Sequence, residues 1–215
     1  MSTTVSPAAA GERWVWAALA LLLVVIAVAA AVSWSRRVPA PDVLGAVPDF
    51  ALTERSGQPL TRATLDGQPW VADFIFTRCT GMCPALSTRM AELRRRAREA
   101  GAEVRFVSFS VDPTYDTPER LSAYAQRFGA GDDWFFVTGA RDALYQLIGS
   151  GFRLSVAERA PEAVASEGGE LITHSDRFVL VDGAGRIRGY YHGGDADLFP
   201  ALLRDLGALQ AEAGR

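Results

Sequence analysis

Four stretches of the chain, "WVADFIFT", "EVRFVSFSV", "WFFVT" and "RFVLVD", are nearly continuous apolar runs separated by segments with helical spacing. A strand that is apolar on both pleat faces must be covered on both, and parallel strands need crossover helices to be joined at all. The alternation confines the C-terminal part of the chain to a layered α/β domain. "DFAL" and "RIRGYYH" are two further strand candidates. A first helix is expected from about Pro84 to Ala100, with Leu86, Met90, Leu93 and Ala97 on its apolar stripe. A second has Thr117 as N-cap, Pro118 at its first position, Leu121, Tyr124, Ala125 and Phe128 facing inward, and Gly129 as its stop. "ARDALYQLIGSG" and the segment ending in "LLRDLGALQAEAG" supply a third and a fourth, the last with Pro200 near its start. Closed by a hairpin turning at "DGAG", this order is that of a thioredoxin-like α/β sandwich, a mixed central sheet with helices on both faces.

Ahead of that domain, the run between Arg13 and Arg36 carries no charge and exceeds the roughly 20 residues that a helix needs to cross a bilayer. Trp14, Trp16 and Trp34 stand at its ends, where indole rings favour the headgroup region. A retained transmembrane helix is preferred to a cleavable signal peptide, because the run outlasts the roughly 7–15 apolar residues of a signal. The expected organisation is a tail (1–12), a transmembrane anchor (13–35), a proline-bearing linker (36–47) and one folded domain (48–215). Flanking charge, Arg13 against Arg36 and Arg37, is nearly balanced and leans toward a cytoplasmic C-terminal domain. With a net charge of -3 and basic residues scattered or in short runs, the chain lacks the field of a nucleic-acid binder.

The only cysteines, Cys79 and Cys83, lie in "FIFTRCTGMCPALSTRM", where a strand ends and a helix begins. Open α/β folds carry their sites at that end of the sheet. Helix N–H groups, the helix dipole and the neighbouring Arg78 favour a thiolate there, and Cys83, just before Pro84, is expected to feel this most. Residues four apart on a helix have Cβ atoms about 5–6 Å apart, whereas a disulfide wants about 3.5–4.5 Å. A bridge therefore needs "TGM" to leave regular helix, which Gly81 makes easy. The same separation suits two thiolates on one metal ion, and soft sulfur selects Cu(I). Two histidines are available as a further ligand. His174 precedes the hairpin, in the loop that the thioredoxin layout sets against the cysteines and where ordinary thioredoxins have a cis-proline; no proline stands between Pro161 and Pro200. His192 ends the hairpin's second strand and is expected at the far end of that strand from His174, away from the site, as a surface residue.

Taken together, "DFIFTRCTGMCPALSTRM", "SVDPTYDTPERLSAYAQRFG", "WFFVTG" and "ITHSDRFVLVDGAGRIRGYY" resemble the Sco/SenC family of membrane-tethered, copper-binding thioredoxin-fold proteins. The resemblance runs from about Pro48 to the last helix, with the N-terminal anchor in addition. It implies that copper is held by Cys79, Cys83 and His174, and it puts the family's "VDP" aspartate at Asp112. Ala85 replaces the acidic or second proline residue that many members carry after the "CP", a change in the surface a partner meets. The implied role is delivery of copper to the copper A centre in subunit II of cytochrome c oxidase, with other periplasmic copper chaperones or thiol reductants as further partners. The implied topology puts the N-terminus inside and the domain on the periplasmic side of the bacterial inner membrane, against the slight arginine bias. The rival reading is a membrane-tethered thiol-disulfide reductase using Cys79 and Cys83 as its redox pair. A peroxiredoxin-type peroxidase and a merely structural pair of buried cysteines fit the sequence less well.

Overall fold

The computed structural model describes residues 8–35, 38–158 and 172–214 of the 215. The chain divides into two units, Met1–Pro39 and Ala40–Arg215. The first holds helix α1 (Ala8–Ser35), whose side chains are described for residues 14–28. Among the described residues no helix is long and apolar enough to cross a membrane; the part of α1 whose side chains are described, residues 14–28, is shorter than the roughly 20 residues of a span.

The second unit contains strands β1 (Gly45–Ala46), β2 (Ala51–Glu54), β3 (Pro59–Thr61) and β4 (Trp70–Ile75), then helix α2 (Met82–Glu99) and β5 (Arg105–Ser110). Helix α3 (Pro118–Arg127), β6 (Trp134–Thr138) and α4 (Arg141–Gln146) follow, the last continued by a π turn at Leu147–Gly151. A short ribbon, β7 (Val156–Glu158) and β8 (Ile172–His174), precedes the hairpin of β9 (Arg177–Val181) and β10 (Arg186–His192), and α5 (Leu198–Ala213) closes the domain. Among the described residues the main sheet runs β1-β10-β9-β4-β5-β6-β2-β3, with β4, β5 and β6 parallel and β9 antiparallel to β4. This is a thioredoxin-like α/β fold.

Alternation along the strands sorts the two faces. Trp70 and Phe74 of β4 meet Phe109 of β5 and Phe152 beyond the π turn, with ring centroids 5.1–6.4 Å apart. Val71, Asp73 and Ile75 face the other way, toward α2 and α3. There Ser87 of α2 and Tyr124 of α3 share a buried hydrogen bond of 2.9 Å, and Phe199 of α5 lies under the guanidinium groups of Arg89 and Arg96 of α2. The α2 stripe is buried as expected at Leu86, Met90, Leu93 and Ala97. Thr117 caps α3 by accepting from Arg120 N–H, and Gly129 ends it at φ 65°.

The hairpin turn is built on Asp182, whose Oδ1 accepts from the N–H groups of Ala184 and Arg186. A register shift between Ile187 and Gly189 falls at Arg188, and the side chain of that residue is only 3% exposed. It pairs with Asp182 at 2.8 Å and Glu212 at 2.9 Å and donates to Pro41 O, joining hairpin, last helix and the end of the tether. Removing one member of such a group strands its partner charges, so Arg188→Ala is expected to destabilise the domain by about 3 kcal/mol. The check is a lower urea midpoint at unchanged slope; a midpoint equal to wild type would show that the cluster is energetically neutral.

Candidate functional site

Strand β4 ends at Ile75 and helix α2 begins at Met82, so Cys79 lies in the strand-to-helix turn and Cys83 in the first turn of the helix. Gly81 precedes α2 with φ -109° and ψ -96°, and no side chain of its own caps the helix. The opening N–H groups of a helix have no partner within it. Here Cys79 supplies one: the Cys83 N–H donates to Cys79 Sγ at 3.3 Å, while Cys79 N–H is tied back to Phe76 O. Both cysteines are thiols, Cys79 only 5% exposed and Cys83 not at all.

This geometry corrects one expectation. It is Cys79 whose sulfur receives a helix amide, whereas Cys83 turns into the core. Burial pushes the Cys83 thiol up, and its contact with Cys79 adds to that in smaller measure. The helix terminus does not lower the pKa of Cys83.

Two carboxylates fix the residues just before Cys79. Buried Asp116 accepts from Thr77 N–H at 3.2 Å, from Thr77 Oγ1 at 2.6 Å and from Ser110 Oγ at 2.6 Å. Asp112, 5% exposed, accepts from Arg78 Nε at 2.5 Å. The guanidinium groups of Arg78 and Arg120 both lie against the Tyr115 ring. Asp112 thus acts on the site through Arg78, as an anchor of the turn. Asp116 does the same more directly and was not singled out in the sequence, although "VDPTYDTPE" presents it four residues beyond Asp112.

His174 ends β8, where its backbone pairs with Val156; its imidazole lies outside the described side chains. The β4–β9 pairing runs from Trp70 with Val181 to Ala72 with Val179, and β8 belongs to the separate β7–β8 ribbon, so His174 stands three residues before the strand that pairs with β4. Among the described residues no three His, Cys, Asp or Glu side chains are grouped to hold a metal ion, so the described part of the site is the sulfur pair. His192 is not at the far end from His174: antiparallel pairing puts it opposite Arg177, three residues past His174 and at the same end of the sheet. It lies one strand farther from β4, half exposed, with Nδ1 3.2 Å from Asp176 Oδ1.

Asp73 is a further feature of the site. It lies six residues before Cys79, wholly buried on the α2 face of β4, and neither carboxyl oxygen has a hydrogen-bond partner among the described residues. The sequence signal was available: an acid in the middle of an otherwise apolar strand. Burial pushes its pKa up to about 7, opposed in smaller measure by the nearby Ser108 hydroxyl. The folded protein therefore keeps a proton that the unfolded chain releases near pH 4, and stability falls as pH rises from about 4 to about 7, then levels, by at most about 4 kcal/mol. Asp73→Asn is expected to be more stable than wild type at pH 7.5 and to flatten that slope in urea titrations across the interval. A slope unchanged in the variant would assign the pH dependence elsewhere.

Fold and site together define a class: a thioredoxin-like protein with a reduced dithiol capping its first crossover helix. Residues 41–201 match the SCO1/SenC family, and the chain belongs to that family. Among solved structures it is similar to a SCO1/SenC family lipoprotein from Bacillus anthracis str. Ames, with 31% identity, a TM-score of 0.72, and 80% of this chain and 99% of that one covered. It is also similar to BsSco, described as a member of the Sco family of cytochrome c oxidase assembly proteins with a disulfide switch. There the identity is 27% and the TM-score 0.70, over 80% of this chain and 98% of that one. Arabidopsis thaliana ScoI, solved with copper bound, shares the fold at 22% identity and a TM-score of 0.64, over 76% and 98% of the two chains.

Proposed function

We propose that this protein is a membrane-anchored copper carrier that holds Cu(I) through Cys79, Cys83 and His174 and delivers it to the copper A centre in subunit II of cytochrome c oxidase. The observation that carries the reading is the sulfur pair at the start of α2, both members reduced and in contact. Two thiolates form a soft, charge-rich grip that favours Cu(I), and an imidazole completes a three-coordinate site. His174 comes three residues before β9, the strand paired with the one that leads into the cysteine turn, and this supports it as that third ligand. BsSco's place among cytochrome c oxidase assembly proteins and the copper in Arabidopsis ScoI support the same assignment.

The remaining parts of the proposal rest on the sequence. Residues 13–35 form the transmembrane anchor, and 36–47, expected as a linker, lead into the carrier domain, whose compact unit already takes in the chain from Ala40 and stands on the periplasmic side of the inner membrane. The relative from Bacillus anthracis is a lipoprotein, which fits a tethered domain. Copper must find both sulfurs deprotonated and reduced, so closure of a Cys79–Cys83 disulfide is the off state. Asp112 and Asp116 keep the turn in the shape that presents Cys79.

Ligand substitution tests this directly. Cys79→Ser or Cys83→Ser is expected to weaken Cu(I) binding by at least about a thousandfold in competition with a chelator, since one thiolate and an imidazole grip a soft ion poorly. His174→Ala is expected to lose affinity more modestly and to fill a pre-reduced apo copper A domain poorly. If the pre-reduced acceptor fills equally well from free Cu(I), from wild type and from His174→Ala, and only an oxidised acceptor needs the cysteines, the protein is a thiol-disulfide reductase instead.

A further inference from the structure

The described sulfur atoms of the domain belong to four residues, and their exposure is lopsided. Cys83 and Met90 are fully buried and Cys79 is 5% exposed, whereas Met82 is 42% exposed. Among the described residues, every other exposed large apolar side chain lies in α1 or between residues 38 and 44. Within the unit Ala40–Arg215 only Val43 and Leu44, just ahead of β1, share this exposure; past them, among the described residues, Met82 is the one exposed large apolar side chain, and it stands between the two cysteines in the sequence and opens helix α2. Burying a methionine stabilises a protein by about 2 kcal/mol relative to leaving it in water, so stability does not account for this placement.

From that contrast we infer that Met82 is the entry and exit ligand of the dithiol site: its thioether takes Cu(I) from an incoming donor and passes it inward to Cys79 and Cys83, and carries it outward by the reverse steps. The inference rests on the copper-carrier reading above. Thioether sulfur is a soft, neutral donor that binds Cu(I) without first losing a proton. A donor protein or chelator reaches an exposed side chain far more readily than thiols that are 5% and 0% exposed. Ligand exchange then proceeds one bond at a time. A donor–copper bond is replaced by Met82 Sδ–Cu; Cys79 Sγ–Cu and Cys83 Sγ–Cu form as the remaining donor bonds and finally the Met82 bond break. Each thiol's proton goes to solvent, and copper stays Cu(I) throughout, so no oxidant or reductant is consumed. Cys79, whose sulfur lies over the first turn of α2, is the first inner acceptor.

The test compares full-length wild type with Met82→Leu, which keeps size and apolar character and removes only the sulfur. Anaerobic stopped-flow mixing with bicinchoninate follows Cu(I) transfer both ways, from the chelate to apo protein and from loaded protein to excess chelator. Met82→Leu is expected to slow both directions by about tenfold, because each must attack a recessed thiolate without a soft relay, with Met82→Gln slowed at least as much. Leu exchanging at the wild-type rate while Gln is slow would show that the exposed side chain serves as an apolar contact, and wild-type rates in both variants would show that it has no part in exchange; either overturns the inference. Failure of the carrier reading has a different signature, since wild type itself would then take no Cu(I) from the chelate.

Discussion

The site depends on a hydrogen bond in which sulfur does the work of a capping oxygen. Helix α2 starts without a serine, threonine, asparagine or aspartate at its N-cap, and the amide of Cys83 is met by Cys79 Sγ. One contact therefore orders the helix terminus, sets the two sulfurs side by side and ties the dithiol to the sheet through the Cys79 N–H bond to Phe76 O. Any chemistry at Cys79, whether oxidation or binding of a soft ion, acts on the cap of the helix that carries Cys83. Binding and local order are coupled for that reason.

Around this contact the protein accepts electrostatic arrangements that an ordinary core avoids. Asp116 is buried, and burial raises its pKa despite three donors. Asp73 is buried with no hydrogen-bond partner among the described residues. Arg78 is spent on Asp112 and Tyr115, so it serves the shape of the turn as well as its charge. Such groups detract from stability. The apolar packing of Trp70, Phe74, Phe109 and Phe152 on the opposite face of the sheet offsets them.

Much of this was legible in the sequence, and the misses have identifiable physics. Continuous apolar runs marked β4, β5, β6 and β9 because each is covered on both faces, and the 3.6-residue stripe marked α2 and α3. Helix α2 begins at Met82, earlier than expected, since Pro84 at its third position lacks an N–H that would have had no helical partner anyway. Pro200 occupies the same position in α5. The β7–β8 ribbon and two-residue β1 are too short to leave a periodic signal. His192 was misplaced because distance along a strand was taken for distance in space, when antiparallel pairing folds that strand back beside Arg177. Cys83 was misjudged because position near a helix start was weighed and depth was not: burial opposes the thiolate more strongly there than the terminus favours it.

The central claim is that Cys79, Cys83 and His174 together hold one Cu(I). X-ray absorption on the reduced full-length protein in detergent, loaded with one equivalent of Cu(I) without oxygen, reads the coordination shell itself. The account expects two sulfur neighbours and one nitrogen, with the nitrogen lost in His174→Ala. A shell of two sulfurs alone in wild type, or of three sulfurs, would contradict it.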